Sequence, residues 1–256
     1  MKPAVMKDMV SLGSEFEGAL AEARRANPDI RWYPYRILSN LGHLQQILPD
    51  DVQQTVGLGS LKWSVLDVGA ADGDLGFFFE SRGALVDFMD FPATNFNDLE
   101  ALRYLRAQRR SPGALLEQDI DRGIVLNRTY NLVIALGLLY HLRNPMNFLM
   151  TLAQHGERMV LSTRVATQLP DGTDVAKASL AYFLSCRESN NDPTNFWVFS
   201  PLGLSALLKR SGWILKKSII VGATPSNPVD PDKDARMFAY CERVPNWDDL
   251  WRHHDF

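Results

Sequence analysis

Two patterns of apolar and polar positions take turns along the chain. Some stretches carry apolar residues every three or four positions, as helices do, and between them lie short, nearly continuous apolar runs of strand length. Residues 6–26 are the first helical stretch, with Phe16, Leu20 and Ala23 on one side and Glu15, Glu22 and Arg25 on the other. Asn27-Pro28 stops it, since the residue before proline avoids the helical region. An aromatic segment, residues 30–36, leads into a second helical stretch to Leu48, which Pro49-Asp50-Asp51 breaks. Strand-type runs follow at residues 65–68 and 84–89, separated by a small-residue turn at 69–73 and a helix at 75–80. Residues 96–109 predict a helix, with Leu99, Leu102 and Leu105 at helical spacing. Further strands are predicted at 115–120, 130–136 and 157–163, and Pro145 suits the first turn of a helix between the last two. A long polar insertion runs to about residue 195, with a short helix predicted at 176–184. Loops of this length in a compact domain are usually functional. A helix at 201–211, ended by Gly212, precedes strands at 213–221 and 236–242, close enough for an antiparallel hairpin.

Strands alternating with helices describe an open α/β sheet, whose ligands sit at the carboxyl ends of the strands. The first strand-turn-helix-strand unit, SVLDVGAADGDLGFFFESRGALVDFMDF, is built like half of a nucleotide site. Glycines let a backbone approach a ligand closely, and a helix start offers N–H groups. A dinucleotide site wants G-x-G-x-x-G to hold a pyrophosphate. Here the run is Asp67-x-Gly69-x-Ala71-x-Gly73, with an acid at the strand end where it would repel that group. Asp67 suits an ammonium group instead, and Asp90, closing the second strand, suits ribose hydroxyls. An adenosylmethionine-type molecule carries an ammonium, a sulfonium and a ribose. The plain alternative is a strand-turn-helix with chance glycines.

At these residues the chain resembles the class I S-adenosylmethionine-dependent methyltransferases, whose first motif is an acid followed by three glycines at alternate positions. Ala71 replaces the middle glycine, and alanine disfavours positive φ. The resemblance implies a Rossmann-like α/β fold: a seven-stranded mixed sheet with an antiparallel last strand and helices on both faces. It implies a cofactor held by Asp67, Gly69, Ala70, Ala71 and Gly73 at its methionine end and by Asp90 and Phe91 at its ribose. Asp119 and Ile120 fit the adenine position, and Leu136 ends the fourth strand at the same edge.

Composition narrows the field without naming a substrate. The 256 residues allow one α/β domain with additions, and 46% apolar with 22% charged residues is ordinary for a soluble globular protein. Residues 1–58 are expected to form a helical extension or lid, and 59–256 a methyltransferase-like domain with a substrate-side insertion at about 164–197. A net charge of −3 provides no global basic field for nucleic acid. The two cysteines, Cys186 and Cys241, suggest neither a disulfide framework nor a zinc site, and the five histidines form no ligand pattern, so no metal is expected. The His253-His254 pair reads as a solvated tail. No apolar run is of membrane-spanning length, and the N-terminus lacks the apolar core of a signal peptide. The expected location is the cytoplasm.

Outside the glycine turn, Tyr140 and His141 reach the carboxyl edge of the sheet after the fourth strand. His141 is either a structural histidine bonded to a loop carbonyl or a general base for the substrate's nucleophile, with Tyr140 as its partner. Tyr33, Tyr35 and Arg36 either anchor the N-terminal helices or face inward as a lid. Glu188, Asn195 and Trp197, in a dense polar and aromatic run, are candidates for a substrate wall; a capped turn with Phe196 and Trp197 in the core is the alternative. Arg103, Arg106, Arg109 and Arg110 read as a solvated helix face, or less favourably as an RNA-facing stripe.

Leu136-Gly-Leu-Leu-Tyr-His-Leu-Arg-Asn-Pro145, Asp192-Pro-Thr-Asn-Phe-Trp197 and Leu207-Leu-Lys-Arg-Ser-Gly-Trp213 look like the branch that includes the tRNA wobble-uridine carboxymethyltransferases. Those members use carboxy-S-adenosylmethionine, whose extra carboxylate needs a cation; Arg36 and Arg164 are the candidates. The expectation is S-adenosylmethionine-dependent methyl transfer to an oxygen or nitrogen of a small polar molecule, with a tRNA base as the alternative acceptor. A cofactor-binding protein without chemistry and a nicotinamide oxidoreductase are the remaining readings.

Overall fold

The structure, a computed structural model, describes residues 7–246. The expected tail at His253-His254 lies outside the described residues. The chain divides into two compact units: residues up to Asp119 together with Tyr130–Ile134, and Ile120–Thr129 together with the chain from Ala135 onward. The fold is mixed α/β of the Rossmann-like kind, with parallel strands first and an antiparallel pair last. Among the described residues there are nine strands, the seven expected and two short ones supplied by the insertion.

In the first unit, α1 (Met9–Ala26) begins at Met9 because Asp8 caps it, its carboxylate accepting the N–H of Ser11 at 2.7 Å. After α2 (Leu41–Ile47) comes a helix the sequence did not reveal, α3 (Asp50–Leu58), which Pro49 starts rather than blocks. The parallel strands β1 (Ser64–Val68), β2 (Leu85–Asp90), β3 (Leu115–Glu117) and β4 (Leu132–Leu136) run in the order β3-β2-β1-β4. Val65, Leu66, Val86 and Phe88 are fully buried, as expected for strands covered on both sides. Between β1 and β2 lies α4 (Asp74–Ser81), whose Phe77, Phe78 and Phe79 are all completely buried. Each contributes about 1.5–3 kcal/mol of burial. That apolar wall fixes where the turn before α4 must sit. The next helix, α5 (Glu100–Arg109), starts four residues later than its leucine spacing suggests. Asp98 and Leu99 take positive φ of 53° and 65° and cannot continue a helix backwards.

In the second unit, α6 (Pro145–His155) opens with proline at its first position behind an Asn144 cap. Strand β5 (Arg158–Val165) runs two residues beyond expectation and pairs antiparallel with β9 (Ala235–Arg243), which in turn pairs with β8 (Trp213–Gly222). The helix expected at 176–184 is absent. Ala181–Phe183 is instead a strand, β6, paired antiparallel with β7 (Trp197–Phe199). Cross-strand pairing overrides local helical tendency there. Helix α7 (Pro201–Arg210) follows, capped by Ser200, whose hydroxyl accepts from Gly203 N–H at 2.9 Å.

The α5 arginines divide: Arg103 and Arg110 are exposed, as expected for a solvated face, while Arg106 and Arg109 are half-buried. Arg103 pairs with Glu117, Arg106 donates to the Gly113 carbonyl, and the Arg109 guanidinium lies 4.6 Å over the Phe16 ring. No helix among the described residues is long and apolar enough to cross a membrane.

Candidate active site

The turn after β1 holds positive φ at all three alternate positions: 69° at Gly69, 53° at Ala71 and 85° at Gly73. Ala71 therefore adopts the left-handed conformation that its glycine-like position requires, despite its Cβ. Asp90 holds it there, and Asp67 fixes the start of the helix that follows. Asp90 Oδ2 accepts the Ala71 N–H at 2.8 Å and its Oδ1 accepts Phe91 N–H at 2.7 Å. Asn95 Nδ2 donates to the same Oδ2 at 3.1 Å, while its own Oδ1 accepts from Asn97 and Leu99 N–H groups. Asp67 Oδ2 accepts Gly76 N–H at 3.0 Å. A Cβ at Gly76 would stand 2.8 Å from that oxygen and 2.4 Å from the Phe88 ring, so only glycine lets α4 come this close. Gly76 and Asn95 are site residues that sequence reasoning missed. Gly76 had no signal beyond being a glycine inside a helix.

Several backbone N–H groups of the turn are engaged within the protein. Gly69 and Ala70 donate to the Met89 carbonyl, Gly73 to that of Ala70, Ala71 to Asp90 and Gly76 to Asp67. Four acids, Asp67, Asp72, Asp74 and Asp90, crowd this one turn, each no more than 8% exposed. Burial pushes Asp67 up to about 7 and Asp74 up to about 6, and raises Asp72 and Asp90 as well. One cation answers them: Arg24 of α1 reaches Asp74 Oδ2 at 2.5 Å. The cradle therefore suits a ligand with positive charge and hydroxyl donors, and repels phosphates.

Asp72 ties this turn to the aromatic segment ahead of it. Its Oδ2 accepts Tyr33 N–H at 2.8 Å, and its Oδ1 accepts from Asn97, which also holds the Arg31 carbonyl. Tyr33 stacks against Tyr35 and Phe96, with ring centres 5.3 and 5.9 Å away; Tyr35 is 67% exposed and Arg36 is exposed. Asp119 follows β3 in the same unit, half-buried, next to Gln118, whose N–H meets the Asp90 carbonyl at 3.1 Å.

The second unit holds the other candidates. Ile120 is buried, and Leu136 is half-buried at the end of β4. Beyond it, Tyr140 and His141 form a single helical turn with their rings 4.2 Å apart. Arg236 of β9 donates to the Tyr140 hydroxyl at 3.2 Å and lies 5.3 Å over its ring. His141 is held at Nδ1 by Thr194. Burial lowers its pKa first; Asp192 opposes this, and Arg236 and Arg164 add to it. The insertion is stitched to this loop: Phe196 N–H donates to the Tyr140 carbonyl at 2.8 Å, and Trp197 Nε1 to that of Leu142 at 3.0 Å. Trp197 thus uses its indole N–H as an anchor. Glu188 is likewise committed locally, accepting from Tyr182 and from Ser185 N–H, both at 2.7 Å. Arg164, 2% exposed, pairs with Asp234 at 2.6 Å and donates to Ser189. Asn195 is buried, with its Nδ2 on the Ser189 carbonyl and its Oδ1 without a hydrogen-bond partner.

Solved structures place this architecture. The N-terminal domain of EvdMO1 with S-adenosylhomocysteine bound aligns at a TM-score of 0.54 and 13% identity, covering 88% of this chain and 96% of that one. The chain has the class I methyltransferase fold. A methyltransferase-titled structure from Bacillus halodurans aligns at a TM-score of 0.54 and 13% identity, over 77% of this chain and all of that one. A structure titled as an RNA methyltransferase, from Pyrococcus horikoshii, aligns at 0.51 and 11% identity, over 89% and 97%. No protein-family model matches the sequence, and no curated protein matches it.

Proposed function

We propose that the chain is an S-adenosylmethionine-dependent methyltransferase acting on an oxygen or nitrogen nucleophile of a small polar molecule. The observation that carries this reading is the crowding of four buried aspartates, Asp67, Asp72, Asp74 and Asp90, around the turn. Carboxylates so placed favour an ammonium or sulfonium over a pyrophosphate. This disfavours the nicotinamide reading. The fold neighbours support the same direction: EvdMO1 carries S-adenosylhomocysteine, and a Burkholderia thailandensis neighbour is titled 1,6-didemethyltoxoflavin-N1-methyltransferase, with its small-molecule substrate bound.

When bound, the cofactor supplies an electrophilic methyl group on a good leaving group. This chain's residues do the rest. Asp67 with Gly69, Ala70, Ala71 and Gly73 receives the methionine end, Asp90 and Phe91 the ribose, and Asp119, Ile120 and Leu136 the adenine end. Tyr33 and Arg36 cover the site as part of a lid. His141 takes the nucleophile's proton, Tyr140 orients it, and Asn195 Oδ1, buried and unpartnered, accepts from the substrate. Trp197, Glu188 and Arg164 shape the substrate side by holding the insertion rather than by free polar atoms. Bringing nucleophile and methyl group into line can supply several orders of magnitude of rate.

A second reading, carboxymethyl transfer to a tRNA base with carboxy-S-adenosylmethionine, is favoured by one observation. Arg236, which donates to the Tyr140 hydroxyl, is a further cation candidate for the extra carboxylate beside Arg36, whereas Arg164 is already paired with Asp234. Isothermal titration with S-adenosylmethionine, its carboxylated form and NAD separates these readings. Binding of the plain cofactor supports the first and a marked preference for the carboxylated form the second. Binding of NAD alone would overturn both.

A further inference from the structure

The proton count around His141 decides which of its nitrogens carries hydrogen. Nδ1 lies 3.2 Å from the Thr194 carbonyl oxygen and 2.9 Å from Thr194 Oγ1. The carbonyl can only accept. The hydroxyl has a single hydrogen, and Oγ1 is also 2.7 Å from Asp192 Oδ1, an oxygen that accepts the Thr194 N–H at 2.8 Å as well. A carboxylate is the stronger acceptor, so the hydroxyl hydrogen points to Asp192. Were it turned toward Nδ1 instead, Oγ1 and Oδ1 would face each other at 2.7 Å with no proton between them. Nδ1 must therefore donate, to a carbonyl and a hydroxyl that are both acceptors toward it.

We propose that Asp192 and Thr194 are positioning residues for His141: they keep the proton on Nδ1, so that the Nε2 lone pair receives the proton of the methyl acceptor. With S-adenosylmethionine bound, the acceptor's O–H or N–H bond would break as the N–H bond at Nε2 forms, its electron pair making the new bond to the methyl carbon while the carbon–sulfur bond breaks and leaves its pair on sulfur. The imidazolium so produced is stabilised through Thr194 by Asp192. Arg236 and Arg164 oppose that charge, as does burial, so the ring stands neutral and ready in the resting protein. The bonds from Phe196 to Tyr140 and from Trp197 to Leu142 hold the two loops in register, which keeps the Asp192-Thr194-His141 chain together.

The proton-acceptor role rests on the methyltransferase reading; the tautomer does not. Long-range ¹H–¹⁵N spectra of histidine-labelled full-length protein at pH 8, with His141→Gln to assign the signals, read the tautomer directly. The expected result is a protonated Nδ1 and a bare Nε2 at His141. Thr194→Val should shift the ring toward the Nε2–H form and Thr194→Ser should restore it, with Asp192→Ala resembling Thr194→Val. A wild-type ring protonated at Nε2, or a Thr194→Val ring identical to wild type, overturns the proposal. Failure to bind S-adenosylmethionine would sink the enzyme reading while leaving this spectrum unchanged.

Discussion

Asp72 Oδ2 accepts the backbone N–H of Tyr33 at 2.8 Å, and through this bond the turn after β1 holds a segment 39 residues ahead of it. The carboxylate is almost fully buried and also takes Asn97 Nδ2, so it organises three stretches of backbone at once. Asp72→Ala would strand two buried donors, at about 1–3 kcal/mol each. Amide exchange at Tyr33 should quicken and the denaturant midpoint should fall. Unaltered exchange at Tyr33 would mean that the segment is held by its aromatic stacking instead.

Ala71 pays for its left-handed φ of 53° with a Cβ that glycine lacks. Ala71→Gly should raise stability by about 1 kcal/mol, the strain relieved exceeding the added freedom of the unfolded chain. Thermal unfolding checks this, and a lower melting temperature would show that the Cβ is making a compensating contact.

The raised pKa of Asp67 has a sign that can be worked out. Folded, the group holds its proton up to about pH 7; unfolded, it lets go near the ordinary carboxylate value of 3.8. Its contribution to stability is complete below the unfolded value and is lost as pH rises through 7, by up to about 4 kcal/mol. Asp74 acts in the same direction at lower pH. Wild type should therefore lose stability relative to Asp67→Asn as pH rises from about 3.8 to about 7, the window between the unfolded and folded values. A flat difference would place the proton elsewhere. A cation bound beside Asp67 favours the charged form, so S-adenosylmethionine binding near neutral pH should release protons. Titration in two buffers of different ionisation enthalpy reads that release.

Among the described residues, Arg24 is the cation that pairs with an acid of this turn, and Asp74 Oδ1 has no hydrogen-bond partner even with it in place. Arg24→Met should cost about 3–5 kcal/mol, because it leaves a buried carboxylate uncompensated. Adding Asp74→Asn should recover much of the loss. A double variant no better than the single would assign the cost to packing of the arginine stem.

Asp90 clamps Ala71, and under the proposed function it also receives the ribose. Asp90→Ala should weaken S-adenosylmethionine binding by about 1–3 kcal/mol, as expected when bonds to a charged acceptor are lost. Calorimetry at matched temperature measures this, and unchanged affinity would remove Asp90 from the ribose role.

What could be read in the sequence was local. The Asp67-to-Asp90 unit is contiguous, with apolar runs and small residues at fixed spacing, so strand, turn and helix were visible together. Helix α3 was missed because Pro49-Asp50-Asp51 reads equally well as a break and as a helix start. The strand at 181–183 was mistaken for part of a helix because its pairing partner, 197–199, lies in another stretch of chain. Asn95 and Thr194 act through single side chains reaching a loop neighbour or a residue 53 positions away, which no periodicity records. Trp197 and Glu188 were found as polar and aromatic groups, but whether such groups face a ligand or their own backbone depends on the folded loop.

The links of the first 58 residues carry a consequence for synthesis. Arg24 waits for Asp74, Asn27 for Tyr104, and the Arg31 carbonyl for Asn97, spans of 50, 77 and 66 residues. On the ribosome, α1 can meet α2 early, through Val10 and Gln45, but none of these three links closes until Asp74 has left the exit tunnel. The segment made earlier than its partners is thus secured later than they are, and a chaperone that holds amphipathic helices would meet it in that interval.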